Sequence, residues 1–464
     1  MSTTRALPIR ERIVCAILLL STTLGSLMNI GTTTTQRTVV VGVLVVGALL
    51  AIPGGAVKTT GARAYAVWAF LACFVISLLR FAAAPIPPLG ARTMLGIALM
   101  IVAVTGLAFC ALLAPADGPT RRRRVRCALF SPACFIAIDL FLYVIGFSFR
   151  ATTSPTNDGS AQLLGLIGIH TSRVNDLPLT PGSNGAGEAA ALAIVICAVL
   201  AYRGRGKLRL AALAGILASI PTILLVDSRG PLAYALLALI ILALLPRLAR
   251  RAIVAVPLLL PVGPSIILFV VSQLGSLSST LSRNNGNGSF VTATGRSKIW
   301  SIVAHFLSHP HAEDLIGYGA YGQIRSGVAA QYVYLFRYTE DPEFTSVHSI
   351  ALQTILDMGY IGLVLFLLFL MVIVNSARIS YERTRSPEST ALLVALIALS
   401  LFGASEALPG LAGLYLVVSL FVLACAAIRI EQRPPRSGYV LSSGARSHSA
   451  GRSRPELASA AVRQ

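Results

Sequence analysis

The sequence is short of charge. Only 12% of its 464 residues are Asp, Glu, Lys or Arg, while 55% are apolar and the mean hydropathy is +0.77. A chain so poor in charge cannot keep a globular surface hydrated, which excludes a soluble domain of ordinary composition. Lysine is nearly absent, at Lys58, Lys207 and Lys298 alone, so positive charge rests on arginine. No His-Glu-x-x-His helix and no Asp-x-Asp pair occurs, so the common ligand sets for a catalytic zinc or for a metal on a sugar nucleotide are missing. Cysteine is sparse as well. Cys15, Cys73, Cys110, Cys127, Cys134, Cys197 and Cys425 all sit in or beside apolar runs, and none implies a disulfide framework.

What the chain has instead is long apolar runs. A helix rising about 1.5 Å per residue needs about 20 apolar residues to cross a hydrocarbon core of roughly 30 Å. Such runs lie near 13–30, 38–53, 64–82, 94–114, 128–147, 188–202, 210–226, 231–246, 252–272, 348–375, 389–405 and 411–428. They predict an all-α fold, a polytopic membrane bundle of about 12 transmembrane helices (about 10 to 12, since two runs are short). The first run has no small-residue cleavage site behind it and reads as a retained helix.

The formal charge of +20 follows this layout. Arg5, Arg10, Arg12, the cluster from Arg121 to Arg126, and the basic stretches at 203–209, 247–251 and 378–385 fall in alternate connections together with the tail. That is the positive-inside pattern, so the charge records topology and implies no nucleic acid. It places a multi-pass protein in the cell (inner or plasma) membrane with both termini cytoplasmic. Residues 1–428 read as one transmembrane catalytic domain, and 429–464, rich in Arg, Ser, Ala and Pro without apolar periodicity, as a disordered basic cytoplasmic tail.

Two outward segments are long, 148–187 and 273–347, and long ordered loops are usually functional. Within the second, Ile299, Trp300, Ile302, Val303, Phe306 and Leu307 fall at helical spacing before Pro310. The pattern predicts an amphipathic helix of about twelve residues lying on the membrane surface.

Three outward features place a cation or imidazole at a helix start. In Asp227-Ser228-Arg229-Gly230-Pro231, Asp227 or Ser228 can cap a helix whose first turn suits proline. Its free N–H groups then form an anion site beside Arg229. Thr294-Gly295-Arg296-Ser297-Lys298 repeats the design, and His348 stands at the mouth of the tenth run. Arginine's planar fork holds phosphate oxygens bidentately, and histidine suits proton removal. Together they read as a phosphate site with a base nearby.

Other features carry less. Gly317-Tyr318-Gly319-Ala320-Tyr321-Gly322 fits the dinucleotide fingerprint by letter, but no strand precedes it, so a tight turn is expected. Tyr332, Tyr334, Phe336 and Tyr338 alternate as if to offer ring faces to sugars or to the membrane interface. Asp139 and Asp357 lie in or near apolar runs with no evident partner.

The chain resembles the O-antigen ligase and polymerase family of bacterial envelope glycosyltransferases over roughly residues 165 to 375. The resemblance rests on Asp-Ser-Arg-Gly-Pro at 227–231 and Gly-Arg-Ser-Lys-Ile-Trp at 295–300. It also rests on Ile-Gly-Tyr-Gly-Ala-Tyr-Gly at 316–322, and on the stretch from His348 through Asp357, Met358, Gly359 and Tyr360 to Gly362. It implies that Arg229 and Arg296 engage the pyrophosphate of a polyprenyl-linked glycan and that His348 is the general base or orients the acceptor. Arg173, ahead of Pro181-Gly182-Ser183-Asn184, resembles an arginine that precedes an Asn-Pro-Asn segment in the family, a segment that departs from the pattern here. Ser228, Lys298 and Tyr318 join the list of substrate-binding candidates. The resemblance implies a metal-independent enzyme without cofactor. Its partners would be a polyprenyl pyrophosphate-linked oligosaccharide, membrane lipid and other polysaccharide assembly proteins.

The implied reaction is glycan transfer to an acceptor hydroxyl on the outer face, in cell-surface polysaccharide assembly. Ligase and polymerase share this chemistry, and the reading leans slightly to polymerase or general glycan ligase. The alternative from another class is a transporter or flippase of lipid-linked glycans, which predicts pseudo-symmetric halves and a charged central cavity. A glycosyltransferase using polyprenyl monophosphate predicts an acidic residue in the first outward loop, and Gly31 to Arg37 has none.

Overall fold

The computed structural model describes residues 8–30, 42, 62–86, 90–114, 116–147, 162–165, 168–174, 176–180, 182–244, 252–273, 296–336, 342–406 and 414–431. The expected run 38–53 apart from residue 42, the pair Thr294-Gly295, Tyr338 and the tail from 432 onward lie outside them. Among the described residues the architecture is helical throughout, with no strand. The helices are α1 (Ile9–Ile30), α2 (Ala62–Ala83), α3 (Ala91–Leu113), α4 (Gly118–Val144), α5 (Ser183–Arg203) and α6 (Lys207–Leu225). They continue with α7 (Arg229–Leu244), α8 (Gly263–Gln273), α9 (Arg296–Leu307), α10 (Ile350–Thr384), α11 (Pro387–Phe402) and α12 (Leu414–Glu431). One-turn helices and 3-10 turns fill the loops between α4 and α5 and between α9 and α10.

Six of these, α2, α3, α4, α5, α6 and α10, are long and apolar enough to cross a membrane by themselves. This is an integral membrane protein. α7, α11 and α12 are apolar but shorter. The ninth expected run is not a straight helix: a 3-10 segment at Ala252–Leu259 meets α8 at 82°. Pro257, Pro261 and Pro264 with Gly263 account for the break, since each proline removes a donor and clashes with the preceding turn. α12 runs to Glu431, a few residues into the stretch assigned to the tail.

The bundle is held by shape and by hydroxyls. Phe70 of α2 lies 4.8 Å and 5.0 Å (ring centroids) from Phe366 and Phe369 of α10, and 5.7 Å from Phe421 of α12. On α5 the run from Ala189 to Ala193 is wholly buried. α6 approaches α5 so closely that a Cβ at Gly215 would meet the Cys197 sulfur at 2.6 Å. Ser21 and Thr22 of α1, Ser131 of α4 and Ser419 of α12 share hydrogen bonds of 2.8–2.9 Å. Small residues and hydroxyl pairs are what join helices in lipid, where apolar burial gains little.

α9 has the expected amphipathic character, but its apolar face is not spread on a bilayer. Ile299 and Val303 pack on Val328, Ala329, Tyr332, Val347 and Leu356, all within this chain, and Trp300 is buried beside them. Nor do Tyr332, Tyr334 and Phe336 form a presenting edge. They sit in successive 3-10 turns, with Tyr332 fully buried and its hydroxyl donating to the Thr345 carbonyl at 3.1 Å.

Candidate functional site

Two helix starts and one helix mouth carry the candidate residues. The first is the turn from α6 into α7. Asp227 adopts φ +46, the left-handed region that side chains rarely occupy, and α7 begins at Arg229. The Arg229 guanidinium lies over the Asp227 carboxylate, Nε to Oδ1 at 3.4 Å and Nη2 to Oδ2 at 3.3 Å. The Leu163 N–H donates to the same carboxylate at 3.2 Å. Arg173 joins this turn by donating from Nε to the Val226 carbonyl at 2.9 Å. Burial pulls its guanidinium below the ordinary arginine value; nearby Asp227 opposes this and nearby Arg229 adds to it. Arg173, Asp227 and Arg229 therefore form one electrostatic group, although 53 residues separate Arg173 from the carbonyl it binds.

Ser228 does not cap α7. Its hydroxyl is buried without a hydrogen-bond partner, against Gly187 of α5, where a Cβ would fall 2.1 Å from the Ser228 oxygen.

The second group gathers at the starts of α9 and α10. Arg296 opens α9 and forms an ion pair with Glu406, in the turn after α11. The other Glu406 oxygen lies 3.1 Å from Nδ1 of His348. His348 sits in the left-handed region at φ +50, and with Asp227 it makes two of the four described non-glycine residues with positive φ. Such strain persists only where the surroundings impose it, and it clusters at functional sites. Here the surroundings do impose it. The Trp300 indole donates to the Val347 carbonyl at 3.0 Å, Val347 N–H donates to Gln353 Oε1 at 3.2 Å, and Ile350 N–H donates to Gly403 O at 2.8 Å.

Burial pushes the Glu406 carboxyl upward, but Arg296 and His348 outweigh it and hold the group below the ordinary carboxylate range. Arg296 and His348 keep 17% and 20% of their side chains exposed, against 9% for Glu406, so the carboxylate is the floor and the two basic groups the rim.

Glu188, buried in α5, lies within electrostatic reach of both Glu406 and Arg296, and its Oε1 has no hydrogen-bond partner. Because Gly187 abuts Ser228 and Glu188 senses Arg296, the first turns of α5 lie between the two groups. Tyr234, on α7, donates to Ser405 beside Glu406 at 2.8 Å and completes the connection.

Not every candidate joins this arrangement. Lys298 is exposed on α9, on a different side from the buried Ile299 and Trp300. Tyr318 donates its hydroxyl to Asp314 at 2.9 Å and is committed to the loop, not to the Arg296 group. Its glycine-rich neighbourhood is a backbone clamp. Tyr318 and Gly319 N–H groups donate to the Leu356 and Asp357 carbonyls at 2.7 and 3.0 Å, where α10 kinks at Gly359 (φ +75). A Cβ at Gly317 would meet the Met358 nitrogen at 2.4 Å, so only glycine allows the approach.

Asp357 is part of that clamp, accepting from Gly322 N–H and from Gln353 Nε2, both at 2.8 Å. Asp139 accepts from Leu179 N–H at 2.7 Å and Thr180 Oγ1 at 2.5 Å. Among the described residues no group of three or more His, Cys, Asp or Glu is placed to hold a metal ion.

Glu406 and Glu188 are the residues that sequence reasoning passed over. Each is a lone acid in or beside an apolar run, the signal that did single out Asp139 and Asp357.

Residues 214–367 match a family model described as O-antigen ligase. The matched stretch contains Arg229, Arg296 and His348, while Arg173, Glu188 and Glu406 fall outside it. A comparison with curated proteins finds no match.

Proposed function

We propose, from the match of residues 214–367 to a family model described as O-antigen ligase, that this membrane protein transfers a glycan from a polyprenyl pyrophosphate to an acceptor hydroxyl. The observation that carries the reading is the shared carboxylate: Glu406 holds Arg296 on one oxygen and His348 Nδ1 on the other. A histidine whose Nδ1 is engaged by a carboxylate presents Nε2 as an acceptor, the tautomer that a general base needs.

In the step itself the acceptor oxygen attacks the anomeric carbon while its proton passes to His348 Nε2. The bond from that carbon to the pyrophosphate oxygen breaks, and its electron pair stays on the pyrophosphate. Direct displacement inverts the anomeric centre. Arg296, Arg229 and Arg173 offset the charge that grows on the leaving group, helped by the positive dipole end of α7. Guanidinium groups supply that charge without a metal.

The site faces away from the cytoplasm in this reading, with both termini inside, because the arginine-rich connections lie at the other ends of the helices. Counting α1, α7, α11, α12, the bent pair and the 38–53 run as further crossings gives about 12 spans. The transmembrane domain includes α12 to its end at Glu431, and the residues that follow form the proposed cytoplasmic tail. Reporter fusions that place the Arg121 to Arg126 segment outside would overturn this orientation.

Donor binding and transfer, measured side by side in nanodiscs, test the site. His348→Ala should cost about 100- to 10,000-fold in transfer while still binding the lipid-linked donor. Arg229→Ala and Arg296→Ala should lose both, because a charge-assisted contact acts on ground and transition states alike. Wild-type turnover in His348→Ala removes the base from the scheme. Unchanged affinity and rate in both arginine variants removes the phosphate site.

A further inference from the structure

A second basic locus lies at the other end of the bundle. α10 leads away from His348, and its last turns reach the neighbourhood of α11, where Thr384 Oγ1 lies 3.0 Å from Ser389 Oγ. Beyond the kink at Gly359 the stretch from Tyr360 to Thr384 still amounts to about 38 Å of helical rise, more than a hydrocarbon core. At this end Gly118, Pro119, Arg122, Arg123 and Arg126, on the first turns of α4, line an open groove of about 480 Å³.

Behind these arginines lies Glu388 of α11, its side chain 2% exposed, with Arg126 at 2.7 Å and Arg122 at 4.0 Å. Arg122 and Arg126 thus share the one buried carboxylate, while Arg123 acts on the exposed carboxylate of Asp117. Three guanidiniums against two carboxylates leave a net positive charge that an anionic ligand would balance. The helix surface above the groove says which kind. Arg122, Arg123, Arg126, Cys127, Phe130, Cys134, Ala137 and Phe141 are the exposed or half-buried positions along one side of α4, at spacings of three and four. From Cys127 onward that stripe is apolar. A basic groove that opens directly onto an apolar stripe matches a phosphate headgroup with its acyl chain, whereas a free phosphate would use only the groove.

The geometry points to a specific binding site for one anionic phospholipid. Its phosphodiester lies between Arg122, Arg123 and Arg126, and an acyl chain runs along the Phe130 to Phe141 side of α4. The site lies in the leaflet opposite the Arg296–His348 group and does not depend on the reaction proposed there.

Native mass spectrometry of the full-length protein, released from nanodiscs of mixed phosphatidylglycerol and phosphatidylcholine, tests it. Phosphatidylglycerol should be retained and phosphatidylcholine at equal mole fraction should not. Arg122→Gln with Arg123→Gln should weaken retention about 25-fold, roughly a factor of five per guanidinium. Arg126 is left in place because it partners buried Glu388. Arg123→Glu alone is the second variant should the pair fold poorly, with at least the same fivefold loss. Glycerol 3-phosphate supplies the headgroup without the chain and should not displace the lipid. Equal retention of both lipids, unaltered retention in both variants, or displacement by glycerol 3-phosphate at lipid-like concentration would each overturn the assignment.

Discussion

Asp357 and Glu406 flank the same helix mouth, both are buried, and they do different work. Asp357 is satisfied by neutral donors, the Gly322 N–H and the Gln353 amide, and it fixes the loop onto the α10 kink. Glu406 is satisfied by Arg296 and His348, which keep part of their surface open to an incoming group. Burial alone does not mark a functional carboxylate. What distinguishes it is whether its partners have chemistry left to do.

Amide isosteres break this comparison most sharply. Glu406→Gln keeps shape but loses the charge behind His348 and Arg296, and transfer should fall by up to about 10,000-fold, the loss seen when an amide fixes the wrong tautomer on a catalytic histidine. Donor binding should fall less, since Arg296 remains. Asp357→Asn keeps an acceptor for Gly322 and should transfer at close to the wild-type rate. Asp357→Ala, which strands two donors, should lower the thermal midpoint through a loss of about 1–3 kcal/mol per unsatisfied group. Transfer assays and melting curves on the three variants suffice. Equal loss of transfer in Glu406→Gln and Asp357→Asn would erase the distinction.

Acid should separate the same pair of residues by a smaller effect. Arg296 and His348 hold the Glu406 carboxyl below its ordinary range in spite of burial. A depressed carboxylate contributes stability that is present above its unfolded value of about 4.3 and is lost as pH falls through the lower folded value. The difference in melting temperature between wild type and Glu406→Gln should therefore stay constant from about pH 8 to 5 and close below about pH 4. Closure between pH 7 and 5 would mean that Arg296 does not dominate this carboxylate.

Much of this was legible in the sequence, and the remainder failed for identifiable reasons. Lipid-scale apolar runs gave a helical membrane protein directly, and Arg229 does open α7 as the local signals suggested, while Arg296 is the first described residue of α9. The bend in the ninth run was not legible because hydropathy ignores proline, and three prolines bend it. α9 misled because an apolar stripe does not say what covers it. Here Val328, Tyr332 and Val347 do, where a membrane surface was expected. Glu406 lies 58 residues beyond His348, and no spacing rule connects them. Ser228 shows the opposite error: a good capping residue by type, placed by packing against Gly187 where it caps nothing.

The smallest expected effect is none at all, on adding a chelator. A divalent metal at a pyrophosphate needs carboxylates free to hold it. Near the proposed pyrophosphate contacts Asp227 is engaged by Arg229 and the Leu163 N–H, and Glu406 by Arg296 and His348. That leaves buried Glu188 with an unpartnered oxygen, a lone carboxylate that cannot hold a divalent ion unless Asp227 or Glu406 joins it. Recruiting either to a metal would strip a guanidinium or the base of its partner, so metal and arginine compete for the same oxygens. Positive charge at the leaving group then comes from Arg173, Arg229 and Arg296, whose charge EDTA does not touch. Purified protein given lipid-linked donor and acceptor should keep its full rate in excess EDTA, and added magnesium should not raise it. A rate that collapses in EDTA and returns with magnesium would show that Asp227 or Glu406 exchanges its arginine for a metal during turnover, and the division between a held base and an arginine-bound pyrophosphate would have to be redrawn.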